Sequence, residues 1–182
     1  MIRYAVCLLS AALIPMALQA QNANPTVTEM KAAYTSAKSN ILKAADKVSE
    51  ADYAFKASPD IRTLGELFQH IAQAQVNYCG RVTGNAKAPD FGSKSKADVV
   101  TALKASFDVC DAGWEALTDA NASEMTGQGR GALSKYGALL RNLIHDNEEY
   151  GYISVYLRIK GITPPSSEGA PAGAARGGRG GI

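Results

Sequence analysis

The stretch TLGELFQHIAQAQVNYCGRV, residues 63–82, carries both a helix start signal and a helical apolar stripe. Thr63 and Glu66 have the spacing of a capping box, in which each side chain accepts a backbone N–H from the other residue. Five hydrophobic side chains and one glutamine then recur every three or four residues: Leu64, Phe68, Ile71, Gln75, Tyr78 and Val82. This period predicts an amphipathic helix that ends at Gly84.

Three further stretches of the chain have the same helical period, and no stretch alternates convincingly with period two. The third helix has the cleanest stripe, and residues 119–131, which contain three glycines, are predicted to form a loop. Four helices of this length predict an all-α fold, an antiparallel four-helix bundle. The three additional helices are predicted over about residues 28–49, 95–117 and 133–161.

The first twenty residues have the order of a secretory signal peptide. Arg3 precedes an apolar run at residues 6–18, which is followed by Gln19 and Ala20. The small residue at position 20 favours cleavage after Ala20. Because the apolar run is too short to span a bilayer, we expect no stable membrane insertion afterwards. This predicts a periplasmic or secreted protein; an uncleaved anchor or an amphipathic first helix is the alternative.

The predicted domain organisation is a signal peptide (residues 1–20), a helical bundle (21–168) and a disordered tail (169–182). The tail is rich in Gly and Ala and cannot bury much apolar area. The chain has 19 Lys and Arg against 17 Asp and Glu, a net charge of +2. So weak a balance gives no electrostatic case for a nucleic acid partner.

Cys79 and Cys110 are the two cysteines that follow the predicted cleavage site. In an oxidising compartment such a pair is compatible with a disulfide. Free cysteines also pack as small apolar core residues. The sequence leaves both alternatives open, because the choice depends on geometry.

The chain has two histidines, His70 and His145, and each lies in the middle of a predicted helix. Glu149 follows His145 by four residues, so both side chains lie on one helix face and can bind one divalent ion. His70 supplies a third ligand if the second and fourth helices are neighbours. The structural alternatives are a rim histidine at position 70, a surface His–Glu pair and a solvated acidic face at residues 146–149.

Three stretches of the chain, taken in order, resemble the DinB/YfiT-like superfamily, a group of metalloenzyme-type proteins. The resemblance covers about residues 27–168 and implies a four-helix bundle with a divalent metal site near one end. The stretches that carry it are YAFKASPDIR (53–62), LGELFQHIAQAQ (64–75) and HDNEEYG (145–151) followed by YLRIKGITPP (156–165).

The resemblance implies that His70 and His145 are metal ligands, because the family places one histidine on the second helix and a His-x3-His pair on the fourth. Glu149 stands where the family has the third histidine. A carboxylate is a harder ligand, so Zn, Ni, Mn and Fe are all candidates, with Mn and Fe more competitive against Ni. The departure is equally coherent with a degraded site that binds no metal.

Two hypotheses of function follow from these observations. The first is an exported metal-binding protein with hydrolase or transferase activity on an unidentified small molecule. The thiol chemistry of some relatives is cytoplasmic, so their substrates are not carried over to an exported chain. The second is a non-catalytic binding or scaffold protein of the cell envelope with a vestigial metal site. Both are compatible with a homodimer through an exposed helix face.

Overall fold

The computed structural model describes residues 25–169, most of which lie in four long helices. This confirms the predicted all-α four-helix bundle, and none of these helices is long and apolar enough to cross a membrane. The predicted signal peptide and the predicted tail from residue 170 onward lie outside the described residues. The helices are α1 (Pro25–Lys47), α2 (Leu64–Thr83), α3 (Lys96–Ala116) and α4 (Lys135–Ile159).

Local signals at the helix ends account for the bounds of α2 and α4. The hydroxyl of Thr63 accepts the Glu66 N–H at 3.0 Å, and the Glu66 carboxylate accepts the Thr63 N–H at 2.7 Å. The predicted capping box is therefore confirmed. Gly84 ends α2 with a φ of 75°, in the left-handed region where glycine carries no steric cost. Ser134 caps α4 by accepting the Gly137 N–H.

The segment predicted as a loop at residues 119–131 contains a small hairpin. Strand β1 (Met125–Thr126) pairs antiparallel with β2 (Leu133–Ser134) around a 3-10 turn at Gly129–Gly131. The fourth helix therefore begins at Lys135, two residues later than predicted. Strands of two residues are too short to produce the alternation by which a strand is recognised in a sequence.

The directions of the helices depart in one respect from a fully antiparallel bundle. Helices α2 and α4 are antiparallel: the segment just before α2 contacts the end of α4, where Tyr156 donates to the Arg62 carbonyl at 2.7 Å, and Gln75 contacts Asn142. Helices α2 and α3 run parallel, since Cys79 is bonded to Cys110 and Thr83 lies beside Gly113. The prediction of antiparallel neighbours is wrong for that pair.

The predicted apolar stripes form the core between the four helices. On α2, Leu64, Phe68 and Ile71 are fully buried, whereas Tyr78 and Val82 at the far end of the stripe are half-buried. Trp114 on α3 is buried as well, and its ring stacks on Tyr34 of α1 with centroids 5.6 Å apart. This core stabilises the helices mainly by removing apolar area from water.

Cys79 and Cys110 form a disulfide that joins α2 to α3. Both residues are fully buried, and their Cα atoms are 4.9 Å apart, within the usual range for a disulfide. The structure thus decides between the two alternatives that the sequence leaves open. The bond holds α2 from one side while α4 packs against another side.

We expect the disulfide to stabilise the fold substantially, because it closes a loop between residues 31 positions apart. Loop-closure entropy predicts that reduction, or the double substitution C79A/C110A, lowers the free energy of unfolding by about 3.7 kcal/mol. Urea unfolding followed by circular dichroism measures this. Reduced wild type keeps both sulfur atoms, so comparing it with C79A/C110A separates the loss of the bond from the loss of side-chain packing. A loss below about 1 kcal/mol in both samples contradicts the expectation.

Candidate metal centre

The antiparallel packing of α2 and α4 brings together the three residues that the sequence singled out. The Nε2 atoms of His70 and His145 are 3.1 Å apart. The Oε1 atom of Glu149 lies 3.6 Å from the His70 nitrogen and 3.8 Å from the His145 nitrogen. One ligand atom from each residue therefore falls into a group that could hold a metal ion.

The spacing of these three atoms fits a divalent ion. The three atoms form a triangle, and the point equidistant from all of them lies roughly 2.0 Å from each. Zinc bonds to nitrogen or carboxylate oxygen have similar lengths, about 2.0–2.2 Å. Two imidazoles and one carboxylate are also a common donor set of catalytic zinc sites, which leave a position open for substrate. The residues present therefore fit the group that the family implies.

The site sits at the edge of the bundle, with one side open. Glu149 is buried, His145 is largely buried, and the His70 side chain is 34% exposed. The partial exposure of His70 matches the rim position that its place beside the apolar stripe suggested. A ligand approaching from solvent therefore meets His70 first.

Burial also sets the protonation states of the three side chains. Desolvation lowers the pKa of both His70 and His145, which favours the neutral imidazoles that bind metals. Desolvation raises the pKa of Glu149, whereas the positive charge of Arg62 lowers it. Arg62 also lowers the pKa of both histidines, so its charge acts on the whole site.

Two polar atoms of the site are buried without a hydrogen-bond partner among the described residues. They are Nδ1 of His145 and Oε2 of Glu149. Buried polar atoms in proteins are almost always paired, so each unpaired atom requires an explanation. A cation bound by the Glu149 carboxylate would explain its burial, because the charge of the ion would offset the cost of removing the carboxylate from water.

A buried polar cluster that the sequence interpretation missed lies directly beside the site. Gln75 donates to Oδ1 of Asp146 at 2.8 Å, and Asn142 donates to the other Asp146 oxygen and to the side-chain amide oxygen Oε1 of Gln75, both at 2.9 Å. All three residues are fully buried. The one available signal was Gln75, a polar residue inside an otherwise apolar stripe.

The interpretation of residues 146–149 as a solvated acidic face is wrong for half of its members. Asn147 and Glu148 are exposed, but Asp146 is fully buried and Glu149 is 5% exposed. Because residues three positions apart share a helix face, one side of this segment turns toward α2. The acidic run thus supplies both a metal-ligand candidate and a buried hydrogen-bond acceptor.

A cleft of about 970 Å³ opens beside His70, between α2, the end of α4 and the segment that precedes α2. A second recess of about 670 Å³ includes His70 and His145 on the other side of the histidine pair. Ligands can therefore approach the histidines from solvent. The cleft is lined mainly by Lys56, Ala57, Pro59, Asp60, Ile61, Arg62, Glu66, Leu67, Gln69, His70, Tyr152, Val155 and Tyr156.

Comparisons with known proteins agree with this fold. The family model described as the DinB superfamily matches residues 33–153. The chain is 18% identical to a DinB-like protein of Bacillus cereus, with a TM-score of 0.61 over 76% of this chain and 95% of that one. A DinB-like protein of Bacillus subtilis is also 18% identical, with a TM-score of 0.59 over 74% and 93%. No curated protein matches the chain.

We expect Asp146 to make stability depend on pH in the metal-free protein. Burial raises its pKa from 3.8 to about 7. Between these values the folded state keeps a proton that the unfolded state releases. The free energy of unfolding therefore falls as pH rises from about 4 to 7, by up to about 4 kcal/mol. D146N removes this component.

The measurement is urea unfolding of chelator-treated wild type and D146N at several pH values. The slope against pH is compared rather than the absolute stability, because the substitution also alters hydrogen bonds. D108N, which changes an exposed carboxylate on α3, is the control and should keep the wild-type slope. Equal slopes in all three proteins contradict the prediction.

Proposed function

The chain belongs to the DinB superfamily, and on that premise we propose that it binds a divalent metal ion through His70, His145 and Glu149. The convergence of one atom from each residue, with separations of 3.1 to 3.8 Å, is the observation that carries this proposal. The lowered pKa of both histidines supports it, because burial favours the neutral imidazole, the form that coordinates a metal.

The donor set favours Zn²⁺ as the first candidate, with Mn²⁺ and Fe²⁺ as competitors. Two imidazoles and a carboxylate occur in zinc hydrolases, and in iron sites that keep open positions. Glu149 adds a negative charge that a third histidine would not. That charge favours the harder ions over Ni²⁺.

The proposed activity is that of a metal-dependent hydrolase or transferase acting on a small molecule. A bound divalent ion would supply Lewis-acid chemistry, polarising a substrate oxygen or lowering the pKa of a nucleophile. The protein supplies access through the cleft beside His70. Glu149 and His145 lie deeper, where low water content strengthens their electrostatic interactions.

The proposal includes export to the periplasm or the cell exterior. The order of residues in the first twenty positions supports it. The Cys79–Cys110 disulfide supports it independently, since disulfides persist mainly in oxidising compartments. This location argues against a substrate drawn from the cytoplasmic thiol pool.

A non-catalytic envelope protein with a vestigial site is the second candidate, and one observation favours it. The two histidine Nε2 atoms lie within hydrogen-bond distance, so neutral imidazoles can pair with each other in the absence of an ion. Glu149 stands where the family pattern has histidine, and this substitution is in keeping with a loss of metal binding. In that case the bundle would present a binding surface without chemistry.

Metal content distinguishes the two candidates. We expect residues 21–182, purified without added metal or imidazole, to carry about one divalent ion per chain. H70A and H145A should lose it, because each removes one of three ligands. Far-UV circular dichroism should remain unchanged, since the helices depend on the apolar core. Elemental analysis makes the measurement, and E148A, an exposed neighbour of Glu149, is the control.

Stoichiometric metal retained in the variant that lacks both histidines would refute the ligand assignment. Less than a tenth of an equivalent in wild type, even after incubation with zinc and manganese, would favour the vestigial site. E149H then restores the three-histidine pattern of the family and should create binding that the natural protein lacks.

A further inference from the structure

Arg62 is a cation beside the proposed metal site, and its guanidinium has no hydrogen-bond or ion-pair partner among residues 25–169. It lies on the rim of the 970 Å³ cleft, directly before the cap of α2. Its backbone is anchored, because its carbonyl oxygen accepts the Tyr156 hydroxyl at 2.7 Å. The side chain therefore projects from a fixed point beside His70.

The charged side chains that line the cleft balance formally, with Lys56 and Arg62 against Asp60 and Glu66. The Glu66 carboxylate is held at the start of α2 by the Thr63 N–H, and the described residues include no ion pair between Glu66 and Arg62. Any net charge at the cleft therefore comes from the neighbouring metal site. A divalent ion held by two neutral histidines and Glu149 keeps a net charge of +1, so the loaded site and Arg62 together attract an anion.

Part of the cleft lining is apolar and exposed. Ile61, Tyr152 and Val155 are 42%, 51% and 54% exposed, although each is a large hydrophobic side chain. All three line the same cleft. Clustered exposure of this kind marks a surface that a ligand covers, whereas isolated exposed apolar residues carry no such meaning.

We propose that the cleft binds an organic monoanion with an apolar body, such as a carboxylate with an alkyl chain. The anionic group lies between Arg62 and the metal ion, and the body lies against Ile61, Tyr152 and Val155. A guanidinium is suited to a carboxylate, because it offers two parallel N–H donors. The assignment gives the proposed metal-dependent activity its substrate class, and it rests on that activity.

Octanoate is the probe for this proposal, with acetate and 1-octanol as partial ligands that lack the apolar body or the charge. We expect isothermal titration of zinc-loaded protein to show octanoate binding that is at least tenfold tighter than that of either partial ligand. R62Q should weaken octanoate binding about tenfold, because a charge-assisted pair is lost. V155S should weaken it severalfold through lost apolar contact.

R141Q is the matched control, since Arg141 is an exposed arginine on α4 that does not line the cleft. It should bind octanoate as wild type does. Zinc content is measured in every sample before titration, which separates the two proposals. If wild type and R62Q both bind zinc and have equal affinity for octanoate, the anion site is overturned and the metal site stands.

Failure to retain zinc overturns the metal proposal, and titration of the metal-free protein then tests the cleft by itself. Weaker octanoate binding that still depends on Arg62 supports the cleft assignment, and no binding overturns it. Analytical ultracentrifugation accompanies each sample. A dimer that binds no octanoate would mean that a second copy covers Tyr152 and Val155, which also overturns the proposal.

Discussion

The hydrogen-bonded bridge from Gln75 on α2 to Asp146 and Asn142 on α4 sets the register on which the site depends. A carboxylate buried between two helices costs several kcal/mol unless its oxygens are paired. Sliding α4 by one turn, about 5.4 Å, would separate these groups and leave the acceptor unpaired. The same register places His145 and Glu149 opposite His70.

Helix α2 is held on two sides, which gives the site a rigid base. The disulfide ties it to α3, and the polar bridge ties it to α4. Ligands carried on packed helices keep their geometry better than ligands carried on loops. The cleft, by contrast, has one wall in the segment before α2, where Tyr156 anchors the backbone at Arg62. Rigidly held candidate ligands and an open approach are in keeping with the proposed exchange of a substrate at this site.

The four long helices could be predicted from the sequence, because helical spacing determines which residues share a face. The three candidate ligands were selected by the spacing of His145 and Glu149 together with the family resemblance, which placed His70 with them. The spacing of His145 and Glu149 is a property of one helix. Their meeting with His70 required α2 and α4 to be neighbours, which spacing alone does not determine. The burial of Asp146 and the parallel course of α2 and α3 were missed for the same reason: both arise from packing between helices.

In the proposed site, two imidazoles and one carboxylate bind the same ion. Anomalous diffraction at the zinc edge, from crystals of the zinc-loaded protein, locates that ion. We expect one strong peak bounded by Nε2 of His70, Nε2 of His145 and a carboxylate oxygen of Glu149, each at about 2.0–2.2 Å. No peak at this position, with the two histidine nitrogens still in contact, or a peak elsewhere, would contradict it.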